Sequence, residues 1–488
     1  MNITRDIYAS ALPLLTDLYQ LTMANGYYKS GKSEQEGVFN LFFRKHPFDG
    51  GFTLICGLEY VMDFLSSFRF SESDITYLRG LKGNDDQPLF GEDFLDYLLN
   101  LELSIEVDAM PEGTVAFPHE PIIRVRGPLA QCQLIETALL NIINFQTLIA
   151  TKAARMNIAA RGEPVLEFGL RRAQGIDGAL AASRAAYIGG CTSTSNVLAG
   201  KLFGIPVAGT HAHSWVMSFD SELEAFKTYA EVMPNNCVLL VDTYDTIEGV
   251  KHAIEVGKIL KSRGRKLAGV RIDSGDLAYF SLQARQLLDE AGFQETRIVA
   301  SNDLDEYIIS SLKEQDAKVQ VWGIGTKLVT AYDQPALGAV YKLSAIRQDE
   351  EWKYKVKLSE QAIKVNNPGI QQVRRFRENG QFVADMIWDE LLGISEKVRI
   401  VDPGDATRQK KIDAGTEYED LLIPIFRAGK KVYDSPGIDE VRQRAMDQIE
   451  MLDKSVKRFV NPHSYPAGLE RRLHTKKTDL IMQLRKLV

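Results

Sequence analysis

Cysteine is scarce and scattered: Cys56, Cys132, Cys191 and Cys237 lie at least 46 positions apart. That spacing excludes the close Cys-x-x-Cys pairs that build zinc or redox centres, so the four read as reduced, mostly buried thiols. Long apolar runs are missing too. None approaches the roughly 20 residues that a bilayer span needs, and Met1 to Ser10 lack the basic-then-apolar pattern of a signal peptide. A cytoplasmic location with no membrane partner is the expectation. Positive charge is not in excess: a formal net charge of −7 argues against a nucleic-acid partner, because such proteins neutralise phosphate with a basic face.

What is present suits a globular chain. With 488 residues, 45% of them hydrophobic and 25% charged, it is long enough for two or three domains. From about Pro164 to Thr326 one phrase repeats: a short apolar run, a cluster of Gly, Asp, Ser or Thr, then an amphipathic stretch. The runs are Val165 to Phe168, Ile205 to Ala208, Val238 to Val241, Leu267 to Ile272, Arg297 to Ala300 and Val319 to Trp322. Thr246 to Ser262, with Ile247, Val250, Ile254, Ile259 and Leu260 roughly on one face, is a representative helix between them. Such a βα repeat predicts a parallel sheet.

Each run ends in residues poor at filling cores and good at chemistry. They are Gly169 and Arg171, Thr210 and His213, Asp242 and Asp245, Arg271 and Asp273, Ser301 and Asn302, and Gly325 and Thr326. Active sites of barrels form at the C-terminal strand ends, so a (β/α) barrel is favoured over an open doubly wound sheet. No Gly-x-Gly-x-x-Gly follows the first strand, which weakens a dinucleotide-binding version of the open sheet. Outside the repeat, Val38 to Phe43, Ile105 to Asp108, Thr114 to Phe117, Ile122 to Val125 and the stretch from Val340 to Val365 are β-rich. A second domain assembled from both sides of the barrel accounts for them. Helices are predicted over Asp439 to Lys454, after the breaker pair Pro436-Gly437, and over roughly Thr475 to Leu487.

His211 and His213 form a His-x-His pair that could face one divalent ion, but His252, His463 and His474 offer no further imidazole on the rim. His213 reads better as a nucleophile or acid–base group, with Thr210 and Ser214 as hydrogen-bonding neighbours, against the plainer alternative of a histidine at a helix start. Arg271 carries a planar fork suited to a carboxylate or phosphate, and Asp273 can accept from vicinal sugar hydroxyls or hold magnesium; their alternative is a surface ion pair. Gly323-Ile324-Gly325-Thr326 is a candidate phosphate cradle on a late strand, although turns are glycine's commonest use. Phe168 beside Arg171 would suit an aromatic acid and a phosphorylated co-substrate, or Phe168 is plain core.

These residues resemble the nicotinate phosphoribosyltransferase family. The resemblance is carried by Thr16-Asp17-Leu18-Tyr19-Gln20, Phe42-Phe43-Arg44-Lys45, Glu167-Phe168-Gly169-Leu170-Arg171-Arg172, Gly209-Thr210 with Ala212-His213-Ser214, Val270 to Asp276, Ser301-Asn302, Gly325-Thr326, Val340 to Leu343 and Asn461-Pro462-His463. It implies the type II phosphoribosyltransferase fold, an irregular α/β barrel with a flanking β-rich α+β domain. Segments 1–135 and about 338–400 would form that domain, 136–337 the barrel, and 401–488 a mainly helical segment. It also implies that nicotinate, phosphoribosyl diphosphate, ATP and water give nicotinate mononucleotide, diphosphate, ADP and phosphate, with Mg2+, in pyridine nucleotide and NAD biosynthesis. A homodimer with shared active sites follows from the same resemblance.

By the same resemblance His213 is phosphorylated by ATP, which requires a neutral imidazole. Tyr19, donated by the partner chain, would contact nicotinate together with Phe168, Thr210, Ser214 and Arg271. Asp273 would hold the ribose hydroxyls, Ser301, Asn302, Gly325 and Thr326 the 5-phosphate, and Arg44, Arg171 and Lys342 the leaving diphosphate. His213, Asp273 and Arg271 are the implied catalytic group, with no resident metal assigned to protein ligands. Ser214 stands where nicotinamide-using relatives carry an aspartate. Gln371 departs from the family, which usually has a lysine there, so diphosphate or ATP contacts at that point would be weaker or supplied by Arg374 or Arg375. A nicotinamide-specific enzyme, a catalytically silent metabolite-binding protein and a metal-dependent hydrolase are the competing readings.

Overall fold

The computed structural model describes residues 11–361 and 364–486. The leaderless stretch expected at Met1 to Ser10 lies outside them, as does Leu487 at the expected end of the last helix. Two compact units emerge. One comprises residues up to Thr147, Ala336–Gly437 and Asp447 onward; the other comprises Leu148–Pro335 together with Ile438–Met446.

In the second unit the βα repeat folds as its pattern dictates. Strands β1 (Val165–Glu167), β2 (Ser193–Thr194), β3 (Val238–Leu240), β4 (Gly269–Ile272), β5 (Arg297–Asn302) and β6 (Val321–Ile324) form one sheet in the order β2-β1-β6-β5-β4-β3. Every pairing is parallel. Helices intervene, among them Thr246–Ser262 at its expected bounds, its first turn capped by Asp245, whose carboxylate accepts the Glu248 N–H at 2.9 Å. The outward strand residues Val165, Leu239, Val270, Ile298, Trp322 and Ile324 are fully buried. They make the core between sheet and helices.

One expected strand is only a fragment. Ile205 to Ala208 does not form a ladder strand; Val207 makes a single parallel bridge to Thr194, the Thr194 N–H donates to Pro206 O at 3.0 Å, and the Ala208 N–H returns to Thr194 O at 3.0 Å. Pro206 has no N–H of its own, which cuts the ladder short. Ser193–Thr194, too short and polar to register as an apolar run, is the strand that takes its place beside β1.

The first unit is β-rich with helices, as expected. Its larger sheet runs Glu351–Tyr354, Val340–Gln348, Glu36–Phe42, Ile123–Pro128, Glu106–Ala109, Ile423–Arg427 and Lys430–Lys431, all neighbours antiparallel. A second, six-stranded sheet centres on Gln371–Glu378 and Gln381–Asp389. The expectation of a mainly helical segment over 401–488 is corrected here. Gln409–Lys411, Glu417–Asp420, Ile423–Arg427, Lys430–Lys431 and Ala467–Glu470 are strands, and among the described residues of this segment only Ile438–Glu450 and Arg471–Leu484 are α-helices. The first, second and fourth of these strands are short and charged on both faces, so they carry no alternating apolar signal.

Candidate active site

The tips of the parallel strands bring Arg271, Asp273, Ser301, Thr210, His213 and Phe168 together. Arg271 on β4 is the hub: its Nε donates to Ser301 Oγ at 2.7 Å, Nη1 to Thr210 Oγ1 at 3.0 Å and Nη2 to Asp273 Oδ1 at 2.8 Å. The Ser301 hydroxyl also donates to Asp273 Oδ1. Burial by itself would raise the Asp273 pKa, but the Ser301 hydrogen bond and the Arg271 charge outweigh it and hold the carboxyl below its ordinary value. Asp273 is therefore a stable carboxylate. The alternative of a surface ion pair fails, since Arg271 is only 16% exposed and ties the ends of β4 and β5 to the Thr210 loop.

His213 opens a short helix, His213–Met217, after the extended Ala212. Its Nδ1 lies 3.2 Å from Thr243 Oγ1, and its Nε2 faces Asp273 Oδ2 at 3.9 Å. With Nδ1 occupied by the threonine, Nε2 is the nitrogen left for chemistry. Below it, Asp242 Oδ2 accepts the Asp273 N–H at 2.8 Å and the Ser274 hydroxyl at 2.7 Å, while Asp242 Oδ1 is buried without a partner. Thr243 escaped the sequence reading because a threonine after a strand carries no signal of its own.

His211 points elsewhere. The Leu240 N–H donates to its Nε2 at 3.2 Å, and its ring packs edge-on against Tyr229. Burial drives its pKa down to about 4, so it is neutral. This bond joins the Thr210–His213 loop to β3 across the open edge of the barrel. The His211–His213 metal pair is excluded by that orientation.

Phe168 follows β1 with its ring 5.7 Å from the Arg271 guanidinium carbon. Its turn is anchored by the fully buried Glu167, whose carboxylate accepts the Gly169 N–H, the Ser183 hydroxyl at 2.9 Å and the Thr194 hydroxyl at 2.5 Å. Gly323 makes room for the ring, because a Cβ there would stand 2.9 Å from Phe168 Cδ2. Asn302 ends β5 at φ 122°, a left-handed strain that a non-glycine residue tolerates when its surroundings enforce it. Gly325 precedes the four-residue helix Thr326–Val329, and Arg171 and Ser214 are exposed on the same unit.

The remaining expected residues belong to the first unit. Arg44 follows the strand Glu36–Phe42, Lys342 pairs with Asn40 on the neighbouring strand, and the His119 N–H donates to Phe43 O at 2.8 Å. Arg44 Nε is buried with no hydrogen-bond partner. Burial lowers the pKa of Arg44 and of Lys342, whose one favourable charge is Glu136. Sequence reasoning missed two members of this basic group. His119, at φ 70°, is lowered to about 4 by burial and by the nearby Lys477 and Arg44 charges; Lys477 is lowered to about 8 by burial and donates to Asn367 Oδ1 at 2.9 Å. A lysine on a charged terminal helix reads as solvated, so only the fold reveals it. Tyr19, on the helix Leu18–Lys29, is exposed.

Arg374 and Arg375 do not compensate for Gln371. Arg374 forms a two-pronged pair with Asp420, at 2.8 Å for each bond, and Arg375 is buried in ion pairing with Asp385. Gln371 is itself buried and donates to Asn367 O at 2.7 Å.

A parallel barrel with a guanidinium, an ionised carboxylate, an imidazole and an aromatic ring on one rim is an enzyme architecture for small anionic substrates. Comparison with known proteins narrows the class. Family models match described as the nicotinate phosphoribosyltransferase N-terminal domain over residues 14–144, the nicotinate phosphoribosyltransferase family over 164–368 and the C-terminal domain over 370–477. A nicotinate phosphoribosyltransferase of Bacillus subtilis is 44% identical, covering 97% of this chain and 96% of its own. The crystal structure of human nicotinic acid phosphoribosyltransferase superposes with a TM-score of 0.82 at 31% identity, over 95% of this chain and 99% of that one. A nicotinate-nucleotide pyrophosphorylase from Pyrococcus furiosus, 24% identical, shares the fold with a TM-score of 0.67 over 89% of this chain and 94% of its own. The chain belongs to the nicotinate phosphoribosyltransferase family. Its fold is that of the type II phosphoribosyltransferases, an irregular α/β barrel with a second, β-rich domain.

Proposed function

We propose that this enzyme joins nicotinate to phosphoribosyl diphosphate, forming nicotinate mononucleotide and diphosphate, and couples the reaction to ATP cleavage through a phosphorylated His213. The observation that carries the proposal is the Arg271 hub, which links Thr210, Ser301 and Asp273 beside His213 and Phe168. The nicotinamide-specific alternative is not favoured, since the relatives reported above bear nicotinate in their names.

The pyridine ring stacks on Phe168, with its carboxylate met by Arg271 and Thr210, by Ser214 nearby, and by Tyr19 of a second copy. Asp273 accepts from the ribose hydroxyls. Ser301, Asn302, Gly325 and Thr326 receive the 5-phosphate and Arg171 the diphosphate; on the first unit Arg44 and Lys342, with Lys477, form a basic group likewise suited to diphosphate. As the pyridine nitrogen attacks ribose C1, the bond to diphosphate breaks and C1 becomes cationic. Catalysis is then positioning plus cations aimed at the departing charge.

Neutral His213 attacks the terminal phosphorus of ATP through Nε2, forming a P–N bond as the bond to ADP breaks. Nδ1 keeps its proton on Thr243 Oγ1. Hydrolysis of the phosphohistidine returns phosphate and resets the site, driving turnover by differential binding of substrates and products. Magnesium fits the residues present: the partnerless buried Asp242 Oδ1 is a hard oxygen ligand, and Asp242 with Asp273 would hold the ion, which supplies charge neutralisation to substrate phosphates.

A homodimer is part of the proposal. It is supported by the exposed apolar side chains Leu12, Leu15, Leu18, Tyr19 and Met23 along one short segment. A cytoplasmic setting is likewise proposed, and no helix among the described residues is long and apolar enough to cross a membrane. The test is synthesis of nicotinate mononucleotide from nicotinate, phosphoribosyl diphosphate and Mg2+, with and without ATP. His213→Ala loses the ATP stimulation and the phosphoprotein signal while basal synthesis persists; full stimulation in that variant refutes the coupling.

A further inference from the structure

Barrels of parallel strands are ordinarily filled by layers of bulky branched side chains. This one is hollow. A cavity of about 1020 Å³ reaches from Phe168 and Thr210 at the C-terminal strand tips to Pro164, Asn236 and Thr296, which precede strands of the same sheet. That volume is at the upper end of small-molecule sites.

Alternation along the strands identifies what lines it. Since Arg271 and Ser301 meet in the site, Gly269 on β4 and Val299 on β5 share their inward face, as Leu166 shares that of Phe168. The outward residues are sealed, whereas inward Leu166 and Val238 are half-buried. The vacancy has a sequence cause. Gly269 contributes no side chain at the lower level, where a Cβ would stand 2.9 Å from Arg297 O, and Ala208 contributes only a methyl.

The far mouth is basic. Lys261, Arg265, Lys266 and Arg297 line it, all exposed, against Glu295 alone, on a chain whose net charge is −7. None of the four forms an ion pair within the described residues; Arg265 donates to the neutral Asn235, and the Lys261 ammonium lies 5.8 Å from the Phe293 ring centre. Between this mouth and Phe168 the waist is apolar: Leu166, Val238, Val299 and Val321.

We propose that this axial channel is a second entrance for flat aromatic monocarboxylates, which gather at the basic mouth and travel past the apolar waist to Phe168 and Thr210 without crossing the rim. The inference rests on the nicotinate reading above. Its chemistry is selective: a monoanion with a large apolar face passes, whereas a sugar diphosphate or ATP would have to shed the hydration of several charges in the waist. It also has a use. Once phosphoribosyl diphosphate occupies the rim, its charge repels a second anion arriving there, and the opposite face remains attractive.

The experiment caps the mouth without touching the site. Gln294→Cys introduces an exposed thiol on the mouth, the four native cysteines being buried, and a bulky maleimide then closes it. Stopped-flow mixing of nicotinate with enzyme preloaded with phosphoribosyl diphosphate gives the association rate. Labelling lowers it at least tenfold, with kcat at saturating nicotinate and KM for phosphoribosyl diphosphate unchanged. Lys266→Glu with Arg297→Glu lowers it as well and flattens its dependence on salt. An unchanged association rate in the labelled, fully active enzyme overturns the channel and leaves the nicotinate reading intact. Absence of nicotinate turnover in the unmodified protein overturns both.

Discussion

Replacing Arg271 by lysine keeps the charge and removes the geometry. The guanidinium makes three directed bonds, to Ser301, Thr210 and Asp273, at 2.7, 3.0 and 2.8 Å. An ammonium on a flexible stem can keep the ion pair with Asp273 but cannot span the other two partners. Each lost bond to a charged group is worth about 1.5 kcal/mol at the low end, so the two together amount to about 3 kcal/mol. Expressed in the transition state, that is a fall of roughly 100-fold in kcat/KM for nicotinate. KM for phosphoribosyl diphosphate moves less, because Asp273 retains its charge partner. Initial rates over a matrix of both substrates, beside a urea unfolding curve as a control for folding, measure the effect. A folded Arg271→Lys enzyme within threefold of the parent kcat/KM would refute the hub.

Two further outcomes follow from the titrating groups. Lys477, held near pKa about 8 by burial, is about half charged at pH 8, so diphosphate binding draws in roughly half a proton there. Calorimetry in two buffers of different ionisation enthalpy reads that uptake, and it vanishes in Lys477→Arg; an equal uptake in the variant removes Lys477 from the anion site. His211, lowered to about 4 by burial, binds its proton more readily in the unfolded chain, near pH 6.5. Its stabilising contribution is therefore complete above pH 6.5 and is lost as pH falls toward 4, up to about 3 kcal/mol. Urea midpoints at pH 7 and pH 5 converge more for His211→Gln than for the parent, and an identical acid sensitivity in both denies the seam bond its role.

Much of the barrel was legible because its runs obey two periods. The helix Thr246–Ser262 and the strand tips at Arg271, Ser301 and Gly325 stand where apolar spacing and polar punctuation put them. Legibility failed where a residue's meaning depends on a distant neighbour. Arg374 and Arg375 look like free cations in a sequence, yet Asp420 and Asp385 occupy them from across a sheet. Lys477 looks solvated and is half-buried beside other bases. Thr243 has no local signature and acquires significance only because His213 comes to it from 30 positions earlier. The strand Ser193–Thr194 was illegible for a different reason: two polar residues hold their place through the backbone and through Thr194's bond to Glu167, not through an apolar face.

The barrel unit closes with residues from far downstream of its last strand. Ile438–Met446 is counted with it, and the helix beginning at Ile438 ties in through Tyr187, whose hydroxyl donates to Asp439 Oδ1 at 2.6 Å, and through Arg442, whose guanidinium donates to Gly190 O at 3.0 Å. On the ribosome, the last strand of the sheet emerges more than 100 residues before this helix is synthesised. The Gly190 carbonyl waits for its donor until that helix has been made, so this unit cannot be completed from residues 148–335 alone, and a fragment cut at Pro335 would lack part of its own wall.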